Sequence, residues 1–338
     1  MTVALVGRLW AVGALAAPLL QPGEVSRAFR YIMGTSIEVR AFGGDEEKRA
    51  AAIEKAFAAF AEVDRLMSNW RDDSELAAVN QNAATIAVPV SDPLFSVIEA
   101  AQEVSSRSGG AFDVTVGPLM KLWGFHDRKP RIPADNELAA LRPAVDYRNL
   151  ILDRSAHAIR FVRPGVEIDL GGIAKGFAVE LAAGVLRRES LGGFIDAGGN
   201  QYLLGLPPGR TSWTVGIQDP DRPDALLGTL DLQAGSVSTS GGYENFLTIN
   251  GRRYGHIIDP RTMRPSLVSL SATVVSPDGT LADAASKVAF ILGPSGGLAF
   301  VDSTPRMMGL IAYRKSDGTV GIVMSEGLKP LFHPVRTH

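Results

Sequence analysis

Between residues 253 and 287 the chain changes period, and that change constrains the fold more than any other stretch. Residues 270–275, Leu-Ser-Ala-Thr-Val-Val, read as an alternating strand. Ser-Pro-Asp-Gly turns the chain, and Thr-Leu-Ala-Asp-Ala-Ala-Ser-Lys then opens an Ala-rich helical pattern. A strand running into an apolar helix belongs to an architecture in which helices pack on a sheet. Titratable groups flank this strand. His256 lies between Gly255 and Ile257-Ile258, just before the rigid Asp259-Pro260 corner, and Asp283 lies near the helix start. An imidazole serves as acid or base near neutral pH. A carboxylate at a helix start can hold a hard cation through oxygen. On the pattern alone, a lone His before a turn is most often a satisfied polar residue.

The rest of the chain alternates strand and helix patterns in the same way. Residues 30–41 read as a strand that Met33-Gly34-Thr35 interrupts as a bulge. Residues 45–67 place apolar groups at helical spacing, with Glu and Lys opposite. Ser74 is the expected N-cap of a short helix ending near Asn80, and Trp70 just before it reads as core from its pattern. A helix over 93–106 ends at Gly109-Gly110. Residues 112–116 alternate as a strand with Asp113 and Thr115 on one face, and short helices follow at 119–125 and 136–141. Residues 149–153 and 158–162 read as a hairpin. A strand over 165–170 leads into Gly171-Gly172-Ile173-Ala174-Lys175-Gly176 and a helix to about Arg188. Such a Gly-rich entry to a helix, with a Lys in it, suits a phosphate, although it is neither a P-loop nor a Rossmann fingerprint. After a short strand at 193–199, Asp196-Ala197-Gly198-Gly199-Asn200 allows close backbone approach to a ligand. Residues 213–218 and 228–232 pair as strands. Ser236–Gly242, followed by Tyr243-Glu244-Asn245, reads as a polar loop rich in hydrogen-bonding groups. Helices at 286–292 and 296–303, strands at 308–313 and 320–324, and a tail over 326–338 complete the chain. With no linker and no repeat, the expectation is one α+β unit in two lobes, with a ligand cleft between them, over residues 28–330.

A formal net charge of −2 argues against a nucleic-acid surface. The absence of Cys excludes thiolate nucleophiles, disulfides and Cys-ligated metals. Residues 1–22 hold Arg8 and an apolar run from Leu9 to Leu20, too short to span a bilayer comfortably and of the length of a secretory signal. Export to the periplasm is the favoured expectation; a disordered N-terminus is the other.

Gly-His-Ile-Ile-Asp-Pro-Arg-Thr at 255–262, with Ala-Asp-Ala at 282–284, resembles the ApbE family, the FAD:protein FMN transferases. Phe-Asp-Val-Thr-Val-Gly-Pro-Leu at 112–119, Ile-Asp-Leu-Gly-Gly-Ile-Ala-Lys-Gly at 168–176 and Asp-Ala-Gly-Gly-Asn at 196–200 keep that family's order. Together they span roughly residues 30 to 300. The resemblance implies an ApbE-like, T-fold-like α+β unit that binds FAD and transfers FMN to a Thr or Ser of an acceptor flavoprotein, releasing AMP. The acceptor it suggests is a membrane redox subunit. Contacts to FAD are expected from Met33, Trp70, Asp113, Lys175, Asp196, Gly198, Ser240, His256 and Ile257. His256 is the expected base, and Asp283, with the Ala174 carbonyl, the expected Mg2+ side. Two positions depart from the family: Gly242 stands where Asp is common, and Lys287 where a metal-ligating Thr, Asp or Ser is usual. An ammonium has no lone pair for a metal. Either Lys287 takes over the charge role of the metal, or the helix starts one residue differently and Ser286 faces the metal. An FAD pyrophosphatase yielding FMN and AMP, and a non-catalytic FAD-binding protein, are the alternative functions.

Overall fold

The computed structural model describes residues 24–126, 129, 131–242, 246–249 and 252–335. The expected signal segment and the polar residues 243–245 lie outside them. Strands β1 (Val25–Ile32) and β2 (Thr35–Phe42) form a hairpin. Met33 and Gly34 close it with φ of 53° and 73°, the sign that a two-residue hairpin turn of type I′ demands at both positions. The interruption read as a bulge is therefore a hairpin turn. Helix α1 (Glu46–Met67) follows. Asp45 caps it by accepting the Lys48 N–H at 2.8 Å, Glu46 and Glu47 complement its dipole, and Ile53, Phe57, Phe60 and Val63 form its buried stripe.

A smaller layer comes next: α2 (Glu75–Asn82), β3 (Val88–Pro89), α3 (Asp92–Arg107), α4 (Gly117–Trp123), α5 (Asp135–Leu141), β4 (Leu150–Asp153) and β5 (Ala158–Phe161). Strands β3, β5 and β4 pair as a small sheet. Two expected strands are absent here. At 112–116 Asp113 accepts from the Thr115 N–H and closes a 3-10 turn over Val114–Val116. At 165–170 the chain forms no regular strand: the Asn80 side chain accepts the Ile168 N–H at 2.7 Å and donates to its carbonyl at 3.0 Å, the Asp169 N–H donates to the Val114 carbonyl at 2.7 Å, and the Glu167 carbonyl accepts from the Gly117 N–H at 3.2 Å.

The remaining elements are α6 (Ala174–Arg188), β6 (Gly192–Ala197), β7 (Asn200–Leu204), β8 (Trp213–Gln218), β9 (Leu226–Leu232), β10 (Gly235–Gly241), β11 (Phe246–Ile249), β12 (Arg252–Gly255), β13 (Ile258–Asp259), β14 (Arg264–Pro265), β15 (Ser271–Ser276), α7 (Gly279–Asp302), β16 (Met308–Arg314), β17 (Val320–Met324) and β18 (Phe332–Pro334). The main sheet has eight strands in the order β1-β2-β6-β7-β10-β15-β16-β17, each pair antiparallel. Period-two alternation sends Val274 and Ile311 into a core with α1, α6 and α7, and sends Val275 and Leu310 into a second core with β8 and β9. The sheet is thus covered by helices on one face and by the β18-β9-β8 sheet on the other. A third cluster joins Leu119, Trp123 and Leu138 to Ile258 and Met263.

Ser236–Gly242, read as a loop, lies mostly within β10, a central strand. The two helices read at 286–292 and 296–303 are one apolar element, α7, broken at Gly293, whose φ of 74° precedes Pro294. α7 is long and apolar enough to cross a membrane by composition, and here Ala285, Val288 and Ala289 are buried against the sheet. The segment read as a tail forms a 3-10 turn over Glu326–Leu331 and then β18, which pairs with β9.

Candidate active site

The start of β2, the ends of β6 and β10, and the starts of β7 and β15 share one end of the main sheet, as the pairings Ile37–Ala197, Ser238–Asn200 and Gly241–Ser271 show. Helix α6 starts at the same end, and its Gly176 meets Asp283 of α7 there. There Asp283, with no exposed surface, accepts the Gly176 N–H on Oδ2 at 2.8 Å, while the Lys287 ammonium pairs with Oδ1. Asp283 and Lys287 lie four residues apart, one turn along the same helix face. Gly176 is required where the two helices cross. A Cβ there would lie 2.2 Å from the Gly279 carbonyl oxygen and 2.5 Å from the Asp283 Cβ.

Ser286 lies between this pair and the sheet. Its hydroxyl lies 2.7 Å from Ser240 Oγ and 3.3 Å from Ser238 Oγ, and it donates to the Asp283 carbonyl at 2.8 Å. Ser238 in turn donates to Asn200 Oδ1 at 2.7 Å. Ser240 therefore meets α7 through Ser286. The donor set does not fit a divalent cation. Both Asp283 oxygens are held, an ammonium stands beside them, and the described residues contain no group of three His, Asp or Glu placed to hold a metal ion. Mg2+ wants a near-octahedral oxygen shell.

Next to this pair, the two Gly-rich segments meet. Lys175 Nζ lies 3.4 Å from the Gly198 carbonyl. Gly198 and Gly199 have φ of 59° and 85°, and a Cβ on Gly198 would lie 2.6 Å from Thr35 Oγ1. The Met33-Gly34 turn, Gly198 and Lys175 are therefore neighbours. Asp196 accepts from Gly199 N–H and Gln201 Nε2; burial raises its pKa above the ordinary carboxylate value.

His126, Asp169 and Asn69 form a polar cluster that the sequence reading missed. His126 Nε2 lies 3.0 Å from Asp169 Oδ2, and the Gly171 N–H donates to Oδ1 at 2.8 Å. Burial raises the Asp169 pKa, but the bonds from His126, Gly171 and Asn69 outweigh it and hold the carboxyl below its usual value. Asn69 Oδ1 is buried without a hydrogen-bond partner. Trp70, read as core, is 69% exposed and stacks on His126 with ring centroids 5.1 Å apart. The signal for Asp169 was present in Ile-Asp-Leu-Gly-Gly; that for His126 was not, because 43 residues separate the pair.

Asp113 accepts from Thr115 N–H and Oγ1 and from the Tyr147 N–H, all within 2.8 Å, so its carboxylate binds its own fold. Burial pushes its pKa up to about 6 against those donors. The native state holds a proton that the unfolded chain releases, so this group withdraws stability as the pH rises from about 4 to about 6. Its carboxyl 13C resonance is expected to titrate near pH 6; a midpoint near 4 would overturn that. The Gly171-Gly172 turn links this region to the α7 pair: a Cβ on Gly172 would lie 3.1 Å from the Phe112 ring and 4.0 Å from Lys287 Cγ.

His256 follows β12 and is half-buried. A Cβ on Gly255 would lie 3.6 Å from the Gly242 Cα, which sets His256 beside the end of β10. Beyond it the corner is rigid: Ile257 is buried and its carbonyl accepts from Ser266 N–H at 2.9 Å, Asp259 binds Arg261, and Trp123 Nε1 donates to the Met263 carbonyl. The sheet end thus gathers Met33, Ala174, Lys175, Asp196, Gly198, Ser240, Asp283 and Lys287. Trp70 and Asp113 sit to one side across the Gly171-Gly172 turn.

The ApbE family model matches residues 33–311 of this chain. The FAD:protein FMN transferase of Treponema pallidum is 31% identical, the match covering 93% of this chain and 94% of that protein. That of Klebsiella pneumoniae is 32% identical over 83% and 81%. The crystal structure of the ApbE protein from Thermotoga maritima superposes with a TM-score of 0.83 at 29% identity, over 91% of this chain and 99% of its own. The flavin transferase ApbE from Vibrio cholerae superposes with 0.82 at 28% identity, over 92% and 100%. With its α+β sheet, its Gly-rich segments meeting at one sheet end and this match over most of its length, the chain belongs to the ApbE family.

Proposed function

We propose that the protein is an FAD:protein FMN transferase. It binds FAD, joins the FMN phosphate to a Thr or Ser hydroxyl of an acceptor flavoprotein, and releases AMP. The observation that carries this reading is the meeting of Lys175 with Gly198 beside the first turn of α6. It brings a cation, two glycine-lined backbone segments and a helix N-terminus together where a pyrophosphate can lie. The open Trp70 face suits a planar ring, and the orphaned Asn69 Oδ1 suits a ligand donor.

In the transfer, the acceptor hydroxyl oxygen forms a bond to the FMN-side phosphorus while the bond from that phosphorus to the bridging oxygen breaks. The hydroxyl proton passes to the His256 imidazole, and AMP departs as a phosphate monoester. Lys175 faces the phosphate charge that develops as the bond breaks. Export, with residues 1–22 as the signal, and an acceptor on a membrane redox subunit complete the proposal.

Incubation with FAD and a Thr-containing acceptor domain is expected to add the mass of FMN to the acceptor and to release AMP in equal amount. Free FMN and AMP with no labelled protein would identify a pyrophosphatase. FAD retained intact without turnover would identify a binding protein.

A further inference from the structure

We infer that the Lys287 ammonium is a built-in cation of the FAD site, so that FAD is bound without a divalent metal. The inference rests on the flavin reading above and concerns the same site. Asp283 is fully buried, and a carboxylate so placed needs partners for its charge. It has two: the Gly176 N–H on Oδ2, and the Lys287 ammonium on Oδ1. Both belong to the protein, so the carboxylate is satisfied without an added ion.

The ammonium is held in place. Nζ lies 3.4 Å from Ser286 Oγ, and only 14% of the side chain is exposed. Ser286 itself is tied to β10 through Ser240 and Ser238. The Lys287 stem also passes the Gly171-Gly172 turn, 4.0 Å from where a Cβ on Gly172 would lie. The charge is thereby fixed beside the Gly-rich entry to α6, whose Lys175 adds a second cation. A cation in water would have to displace this ammonium and supply most of an oxygen shell that the residues present do not offer. Lys holds charge as a compact point on a flexible stem; here burial and the pairing with Asp283 restrict that flexibility.

The inference is tested by measuring FAD affinity of the unmodified protein by flavin fluorescence in excess EDTA and in excess Mg2+, and Mn2+ binding by electron paramagnetic resonance. FAD affinity is expected to be unchanged between the two conditions, and no stoichiometric Mn2+ is expected. In Lys287→Thr, FAD affinity in EDTA is expected to fall by about tenfold, the size of one charge-assisted hydrogen bond, and Mg2+ alone is expected to restore it and to raise Tm. Lys287→Arg keeps the charge and serves where the Thr variant does not fold; it is expected to bind FAD equally in EDTA and Mg2+. FAD binding by the unmodified protein that needs Mg2+, or stoichiometric Mn2+ bound alike by unmodified protein and Lys287→Thr, overturns the inference and leaves the flavin reading intact. FAD binding in neither condition overturns both.

Discussion

Gly176→Ala is expected to destabilise the folded protein by about 3 kcal/mol, the upper range for overpacking a filled interior. The new methyl would meet the Gly279 carbonyl oxygen at 2.2 Å and the Asp283 Cβ at 2.5 Å. Neither contact is the far end of a flexible side chain. Relief requires α6 and α7 to separate, and separation lengthens the Gly176 N–H bond to Asp283. Gly184, in the same helix, is the control. A Cβ there meets only the Arg188 guanidinium, at 3.4 Å. Gly184→Ala is expected to stabilise by roughly 0.5–1 kcal/mol, because a helix interior favours Ala over Gly by about that much. Urea unfolding of both variants checks the pair. Equal midpoints would show that the helix crossing yields more easily than the distances imply.

His256→Ala is expected to slow FMN transfer by roughly a hundredfold while leaving FAD affinity nearly unchanged, the usual size of a lost general base. The residue precedes a corner held by Asp259, Arg261 and Ser266, so its backbone stays in place when the ring is removed. Single-turnover transfer to a Thr-containing acceptor and FAD titration separate the two effects. A transfer rate equal to that of the unmodified protein would assign His256 to holding the corner.

Much of the frame was legible because its signals are local. The stripe of Ile53, Phe57 and Phe60, together with the Asp45 cap, marks α1 without help from the rest of the chain. The alternation in Trp213–Gln218 marks β8 in the same way. Three features were hidden, each for its own reason. The Ser-rich sequence of β10 looks like a loop because its polarity is satisfied inside the protein, by Gln201, Asn200 and Ser286. Residues 165–170 look like a strand because Val166, Ile168 and Leu170 alternate with polar residues, yet the Asn80 amide and the backbone of the 114–117 turn take the place of a partner strand. The alternation at 112–116 is overruled by the Asp113 side chain, which closes a turn locally. In the site, the Gly-rich segments and the Asp283–Lys287 spacing were legible because they are short motifs. The stacking of Trp70 on His126 was not, because it joins segments far apart in sequence.

The order of strands in the main sheet also governs the order of assembly. β2 finds its second neighbour only at β6, Ile37 opposite Ala197, and β10 finds its second neighbour only at β15. A chain growing or emerging from its N-terminus therefore cannot close the sheet early, because pairing must wait for residues far downstream and for the entropy of closing long loops. Helix α7, which fills the space over β10, β15 and β16, arrives later still. The hairpin of β1 and β2, with α1, waits for α6 and β6 to cover it. Fragments ending before residue 276 are accordingly expected to collapse without reaching the native sheet, and the whole chain to remain threadable until nearly all of it is available.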